Sequence, residues 1–182
     1  SAASDVYKRQ VYAEANDIAD LEQKLDGTVC AVLLESVQGE GGVIPLDTDY
    51  LRAVRRLCDE RGALLMLDEV QTGVGRTGYF FSYQGCGVQP DVVTAAKGLG
   101  GGLPIAACLV SKALGDIFTP GMNGSTFGSN PVASAGALEM VTRIDDAAFL
   151  AAVREKGEYF RAALSKLEGV EYVRGRGLML GI

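Results

Sequence analysis

Four short apolar runs alternate with amphipathic segments, and this alternation constrains the fold more than any other feature of the sequence. The first run, Val29 to Leu34, reads VCAVLL and ends in Glu35. The other runs are Ala63 to Leu67, Asp91 to Ala95 and Ile105 to Val110. Continuous β-prone runs separated by helices are typical of strands buried on both faces of a mostly parallel sheet. The sequence therefore predicts an α/β fold.

Helix signals fall between and after these runs. Asp47 is placed to cap a helix that ends at Gly62, because Asp is favoured at the first position and Gly just past the last. Asn130 followed by Pro131 predicts a second helix that ends near Arg143. The helices thus separate the strand-like runs, as a parallel sheet requires.

The last part of the chain differs in character. A long helix is predicted from Asp145 or Asp146 to about Leu167, and strands are predicted at Val170 to Val173 and Leu178 to Ile182. The predicted buried stripe of the helix comprises Leu150, Val153, Phe160 and Leu164. We expect a possible non-native scar at 1–10, part of a large domain over 11–143, and the truncated start of a small C-terminal domain over 144–182.

Composition narrows the function. The chain has 17 basic and 23 acidic residues and a net charge of −6, which argues against nucleic acid or an anionic membrane as the partner. No apolar stretch is long enough to span a membrane and no signal sequence is present, so a cytoplasmic location and a small-molecule partner are predicted. The absence of His excludes Ser-His-Asp and Cys-His catalysis. The chain has four cysteines, none of which forms a C-x-x-C pair, and it has no His to complete a zinc site. Reduced, buried thiols and no metal site are therefore predicted; the cysteines are Cys30, Cys58, Cys86 and Cys108.

Charged residues follow three of the predicted strands. Glu35, Asp68 and Lys97 each lie at or just beyond a strand end, where open α/β sheets place their ligands. Two interpretations are open: a structural ion pair, or a reactive acid and amine in one crevice. The loop Gly98 to Gly102 favours the second interpretation, because a loop with few side chains leaves room for a ligand. The same loop lacks the G-x-G-x-x-G pattern, which disfavours a nucleotide.

Four linked motifs together resemble the class III pyridoxal-phosphate-dependent aminotransferases. Their spacing is regular, with 29 positions from Asp68 to Lys97 and 29 from Lys97 to Thr126. The motifs are ESVQGEGG from Glu35, LDEVQTG from Leu67 with GRTG from Gly75, KGLGGG from Lys97, and GSTFG from Gly124 with Asn130-Pro131. Within this family the chain is most similar to the acetylornithine aminotransferases. The resemblance implies fold type I, a large domain with a mostly parallel sheet, and the cofactor pyridoxal 5′-phosphate.

The resemblance also implies roles for the motif residues. Lys97 would form a Schiff base with the cofactor aldehyde and then move a proton as general acid and base, while Asp68 would hold the ring nitrogen protonated. Val70 would pack on the ring face and Gln71 would meet the phenolic oxygen. Thr126 would reach the phosphate across a homodimer interface.

Three further residues are expected near the substrate. Ser125 is expected beside it, Glu40 resembles a gating glutamate of the family, and Glu35 resembles an acid near the substrate amine. Alternatively, Glu40 is an ordinary solvated charge on a loop. The phosphate cup and the arginine for the substrate α-carboxylate belong to family segments outside these 182 residues. We therefore expect this chain alone to bind cofactor weakly and to turn over little substrate.

The predicted reaction moves the terminal amino group of N-acetylornithine, or a related ω-amino compound, to 2-oxoglutarate in arginine biosynthesis. Other class III activities stay open as alternatives: ornithine or 4-aminobutyrate aminotransferase, and semialdehyde aminomutase. A different class of function is also open, in which the chain is a truncated, non-catalytic fragment that acts as an interaction module.

Overall fold

A four-stranded sheet forms the centre of the molecule in a computed structural model that describes residues 9–117, 119–122 and 124–182. Most of the predicted scar, residues 1–8, lies outside the described residues. The strands of the described part are β1 Ala31–Leu34, β2 Val37–Gln38, β3 Ile44–Pro45, β4 Leu64–Asp68, β5 Val92–Ala95, β6 Ala107–Val110, β7 Arg174–Arg176 and β8 Met179–Gly181. The helices are α1 Ile18–Lys24, α2 Thr48–Arg61, α3 Pro131–Ile144 and α4 Ala147–Leu164.

The central sheet has the order β1-β4-β5-β6. Strands β1, β4 and β5 are parallel, whereas β6 pairs antiparallel with β5. All four central strands were predicted within two residues of their observed bounds. The predicted α/β class with a mostly parallel sheet is confirmed.

The helix ends follow the predicted capping chemistry. At the start of α3, the Asn130 side chain accepts hydrogen bonds from the amides of Val132 and Ala133. At the end of α2, Gly62 has a φ of 69°, a left-handed conformation that favours glycine. Asp47 precedes α2 in an extended conformation, although its side chain makes no capping hydrogen bond.

The core lies on one face of the sheet. Leu65 and Leu67 of β4 are almost fully buried against α2, which presents Leu51 and Val54 to them. The expectation that the first strand is buried on both faces is wrong, because Leu33 of β1 is 59% exposed. Alternate residues of a strand point to opposite faces, and in the described part of the chain the face that carries Leu33 is less covered.

The C-terminal part departs most from prediction. Helix α4 is capped by Asp146 but ends at Leu164 rather than near Leu167. Within its predicted stripe only Val153 is buried, and Phe160 is 48% exposed. The first predicted strand lies later in the sequence, at β7, where it pairs antiparallel with β8 to form a hairpin. The domain division at residue 144 stays a prediction.

The cysteines divide into two pairs, so the expectation of four buried thiols is wrong. Cys58 and Cys86 are buried, whereas Cys30 and Cys108 are exposed. Burial raises the pKa of the Cys58 thiol to about 11, which leaves little thiolate at neutral pH. We therefore expect iodoacetamide at pH 7.5 to alkylate Cys30 and Cys108 in the native chain and to label Cys58 only after unfolding. Peptide mass spectrometry measures this, and early labelling of Cys58 would contradict the burial described here.

Candidate functional site

Three predicted site residues lie at one edge of the central sheet. Glu35 directly follows β1, Asp68 is the last residue of β4, and Lys97 lies two residues beyond the end of β5. Because these strands are parallel neighbours, their carboxyl ends meet at the same edge. The sheet topology thus places the acid and the amine at the same sheet edge.

The carboxylate of Asp68 is held on one side only. Its Oδ1 accepts a hydrogen bond from the backbone amide of Val70 at 2.9 Å and another from the Thr94 hydroxyl at 3.0 Å. Its Oδ2 accepts no hydrogen bond from the described residues. Asp68 is partly exposed, so this second oxygen is available to a donor from outside the chain.

Lys97 begins a short 3₁₀ helix, Lys97–Gly100, and its side chain is exposed. The backbone of Lys97 has a φ of 47°, in the left-handed region that a non-glycine residue adopts at a cost of about 1 kcal/mol or more. Met140 of α3 lies beside the glycine loop, 2.9 Å from where a Cβ on Gly101 would be. Helix α3 therefore supports the loop that carries the lysine.

The loop between β2 and β3 meets the segment after β4 beside this edge. Gln71 donates a hydrogen bond from Nε2 to Oε1 of Glu40 at 3.1 Å, and Glu35 accepts one from the amide of Gly39 at 3.1 Å. A Cβ on Gly39 would lie 2.5 Å from Oε1 of Gln71. The loop therefore approaches Gln71 closely because residue 39 lacks a side chain. Glu40 is exposed in this loop, so a gating role and an ordinary solvated charge both stay open for it.

Ser125 and Thr126 are not brought to this group of residues. Both are exposed, and the amide of Gly128 donates a local hydrogen bond to the carbonyl of Ser125 at 3.4 Å. The neighbouring Phe127 is 84% exposed. Within one copy of the chain, these two predicted residues lie on a surface segment.

Two residues of the site were missed by the sequence analysis. Thr94 contacts Asp68 because the parallel register pairs these two residues across β4 and β5. Glu69 is fully buried and accepts hydrogen bonds from the Thr72 hydroxyl and from the amides of Ser82 and Tyr83. Burial raises the pKa of the Glu69 carboxyl above its ordinary value. Its position in the DE pair after an apolar run was the available signal.

The described part of the chain has no cluster of three or more His, Cys, Asp and Glu side chains arranged to hold a metal ion. No helix among the described residues is long and apolar enough to cross a membrane. The polar groups at the sheet edge are instead a carboxylate with one available oxygen, an exposed amine and an amide, which suit an organic ligand with a basic nitrogen and a carbonyl group.

The profile of the family described as aminotransferase class-III matches residues 3–182. The chain belongs to the class III aminotransferases. Among curated relatives, it is 50% identical to an acetylornithine aminotransferase of Corynebacterium efficiens, over 94% of this chain and 42% of the relative. It is 45% identical to a succinylornithine transaminase of Photorhabdus laumondii, over 91% of this chain and 42% of the relative.

A solved ornithine δ-aminotransferase of Plasmodium falciparum has the same fold, with a TM-score of 0.83 and 38% identity over 90% of this chain and 44% of that one. The predicted fold of the class III aminotransferases is therefore confirmed. The chain spans less than half the length of each of these relatives. The family assignment thus rests on a part of these relatives' length, and in this chain that part contains the central sheet with its carboxyl edge.

Proposed function

We propose that this chain carries the reacting amine and the ring-nitrogen acid of a pyridoxal-phosphate-dependent ω-aminotransferase. One observation carries the proposal: an exposed Lys97 and Asp68 lie at the same sheet edge, and the Oδ2 atom of Asp68 accepts no hydrogen bond from the described residues. Membership of the class III family supports the cofactor. The relatives' names support a terminal amine of the ornithine type as the donor.

The residues at the sheet edge fit the cofactor. When bound, pyridoxal phosphate supplies an aldehyde that condenses with amines and a ring that withdraws electrons when its nitrogen is protonated. Asp68 presents an anionic oxygen that keeps a proton on such a nitrogen, since an opposite charge nearby favours the protonated form. Lys97 supplies the amine that condenses with an aldehyde.

Lys97 has a second role after the donor has displaced it. Its free ε-amino group, on the exposed loop after β5, would take the proton from the carbon that bears the donor nitrogen and return it to the cofactor carbon on the other side of that nitrogen. The left-handed backbone conformation of Lys97 sets the direction in which its side chain leaves the loop. The loop, rather than contacts with a packed core, therefore orients the amine.

The remaining residues are proposed to position cofactor and substrate. Val70, which is partly exposed, packs on the ring face, and Gln71 donates its second amide hydrogen to the phenolic oxygen. Glu35, whose carboxylate accepts a hydrogen bond from the Gly39 amide, lies near the substrate amine, and Glu40, which accepts one from Gln71, is the gating glutamate. These assignments rest on the resemblance and on the contacts between Gln71, Glu40 and the loop.

Ser125 and Thr126 suggest a second copy of the chain at the site. We propose a homodimer in which Thr126 binds the cofactor phosphate of the partner subunit and Ser125 lies near its substrate. The exposure of this segment in one copy of the chain supports that arrangement. A cytoplasmic location and a role in arginine biosynthesis stay predictions.

The substrate proposal is N-acetylornithine as donor and 2-oxoglutarate as acceptor. Ornithine is the second candidate, favoured by the similarity to the ornithine δ-aminotransferase structure. The test loads the purified chain with the cofactor, adds one equivalent of each donor separately, and follows the visible absorption band and the carbonyl product. We expect slow conversion, faster with N-acetylornithine than with ornithine or 4-aminobutyrate.

The same experiment distinguishes the alternatives. Faster conversion with ornithine would replace the proposed donor and retain the enzyme class. No visible band and no conversion with any donor, in a chain whose circular dichroism shows the folded α/β content, would favour the non-catalytic interaction module.

A further inference from the structure

Thr94 occupies a special position beside the acid. It is the register partner of Asp68 across two parallel strands, and its Oγ1 lies 3.0 Å from Oδ1 of Asp68. The backbone of Thr94 is fixed as well, because its carbonyl accepts a hydrogen bond from the amide of Glu69 at 2.9 Å. The hydroxyl therefore approaches the carboxylate from a rigid strand rather than from a loop.

We propose that Thr94 is a positioning residue for Asp68, an inference that rests on the proposed function. Its hydroxyl and the Val70 amide together hold Oδ1, so that Oδ2 is the oxygen presented to the protonated ring nitrogen of the cofactor. Thr94 itself does not touch the reacting atoms in this assignment. It acts by orienting a carboxylate and by stabilising its charge.

The orienting effect follows from geometry. A carboxylate on a single χ2 torsion rotates broadly unless its oxygens are held. Two donors on Oδ1, one from the backbone and one from the neighbouring strand, restrict that rotation and fix the direction of the Oδ2 lone pairs. The arrangement is preorganised, because both donors are in place in the chain before any ligand binds.

The electrostatic effect follows from the same hydrogen bond. A donor to a carboxylate stabilises the anion, so loss of the Thr94 hydroxyl removes part of the stabilisation of the charged Asp68 side chain. The proton shared with the ring nitrogen then shifts toward Asp68, and the ring loses part of its positive charge. A less positive ring is a weaker electron sink and raises the proton affinity of nearby cofactor groups.

Thr94→Val tests the proposal because valine keeps the shape of threonine and its preference for strands while it removes the hydroxyl. We expect the cofactor Kd to rise about tenfold, as for the loss of a hydrogen bond to a charged group. We also expect the pH midpoint of the visible absorption band of the bound cofactor to move to higher pH. Thr94→Ser, which keeps the hydroxyl, should restore both values toward those of the unchanged chain.

The charged neighbours do not account for such a shift. Glu35, Glu40, Glu69 and Lys97 face the same sheet edge, and all are retained in both variants. Circular dichroism and thermal unfolding of the apo chains check that the fold is kept. A merely structural role for Thr94 would lower thermal stability and leave the pH midpoint unmoved.

Two controls complete the test. With a cofactor analogue that has carbon in place of the ring nitrogen, Thr94→Val should not change Kd, because the analogue has no proton to share with Asp68. In an Asp68→Ala background, Thr94→Val should add nothing to the loss of affinity, as expected for residues that act through one another. Borohydride trapping at Lys97 is measured in parallel on the unchanged chain.

The outcomes separate the two proposals. If trapping at Lys97 succeeds and Thr94→Val leaves both Kd and the pH midpoint unchanged, the inference about Thr94 is overturned and the proposed function stands. If the unchanged chain shows no trapping at Lys97, the proposed function is overturned, and the inference is overturned with it.

Discussion

Replacing Lys97 with alanine is expected to abolish the covalent attachment of pyridoxal phosphate to the chain. Lys97 is exposed at the edge where Asp68 ends its strand, and it is the amine that the site offers to an aldehyde. Borohydride reduction of the loaded chain should leave a pyridoxyl mass tag on the peptide that contains Lys97, and Lys97→Ala should lose it. The expected change is from a tag concentrated on the Lys97 peptide to the background of surface lysines.

Two further variants make this result specific. Lys166→Ala removes an exposed lysine that lies just after the end of α4, and it should leave the tag in place. Lys97→Arg keeps the positive charge but supplies no amine that condenses with an aldehyde, so it should lose the tag as well. Equal labelling of Lys97→Ala and the unchanged chain would contradict the assignment of Lys97.

The central sheet and the helices α2 and α3 were predictable because their sequence signals are local. Apolar runs, an Asn-Pro start and a glycine stop depend on residues that are close in sequence, and β4, α2 and α3 were all predicted from them. Strand β7 was misplaced for the opposite reason, whereas β8 lies within the predicted range Leu178 to Ile182. Val170 to Val173 alternates like a strand, yet a strand needs a ladder partner, and β8 pairs with the arginine-containing segment that follows.

The site was predictable where motif and strand end coincide, as for Asp68 and Lys97. Thr94 and Glu69 were missed because their roles depend on the register between strands and on a loop that returns to the sheet edge. Neither relation is encoded in spacing along the chain. The contact between Gln71 and Glu40 likewise depends on two loops that meet only in the folded state.

Replacing Glu69 with alanine is expected to lower the free energy of unfolding by about 3 to 5 kcal/mol, since each buried donor left without a partner costs about 1 to 3 kcal/mol. The carboxylate of Glu69 is fully buried and accepts bonds from the Ser82 and Tyr83 amides and the Thr72 hydroxyl. It thereby ties the loop after β4 back to the sheet edge. Urea unfolding followed by circular dichroism measures the loss, because the chain has no Trp.

The exposed Glu168 provides the matched control, and Glu168→Ala should change the free energy of unfolding by no more than about 0.5 kcal/mol. Glu69→Gln should be less destabilising than Glu69→Ala, because the amide oxygen of glutamine still accepts a hydrogen bond. It should remain less stable than the unchanged chain, because its NH₂ group faces a donor. A loss for Glu69→Ala as small as that for Glu168→Ala would contradict the buried hydrogen bonds of Glu69.

The pH dependence of stability gives an independent test of the same carboxyl group. Burial raises the pKa of Glu69 in the folded chain, against the hydrogen bonds from Thr72, Ser82 and Tyr83, which lower it. Between the unfolded pKa of about 4.3 and the raised folded value, the native chain binds more protons, so the contribution of Glu69 to stability falls as pH rises through this window. Glu69→Gln cannot titrate and should lack this slope. An identical slope in Glu69→Gln and the unchanged chain would assign the pH dependence to other carboxyl groups. Loss of the slope in Glu69→Gln would show that the chain keeps a buried acid beside Asp68, which lowers its stability as pH rises through this window.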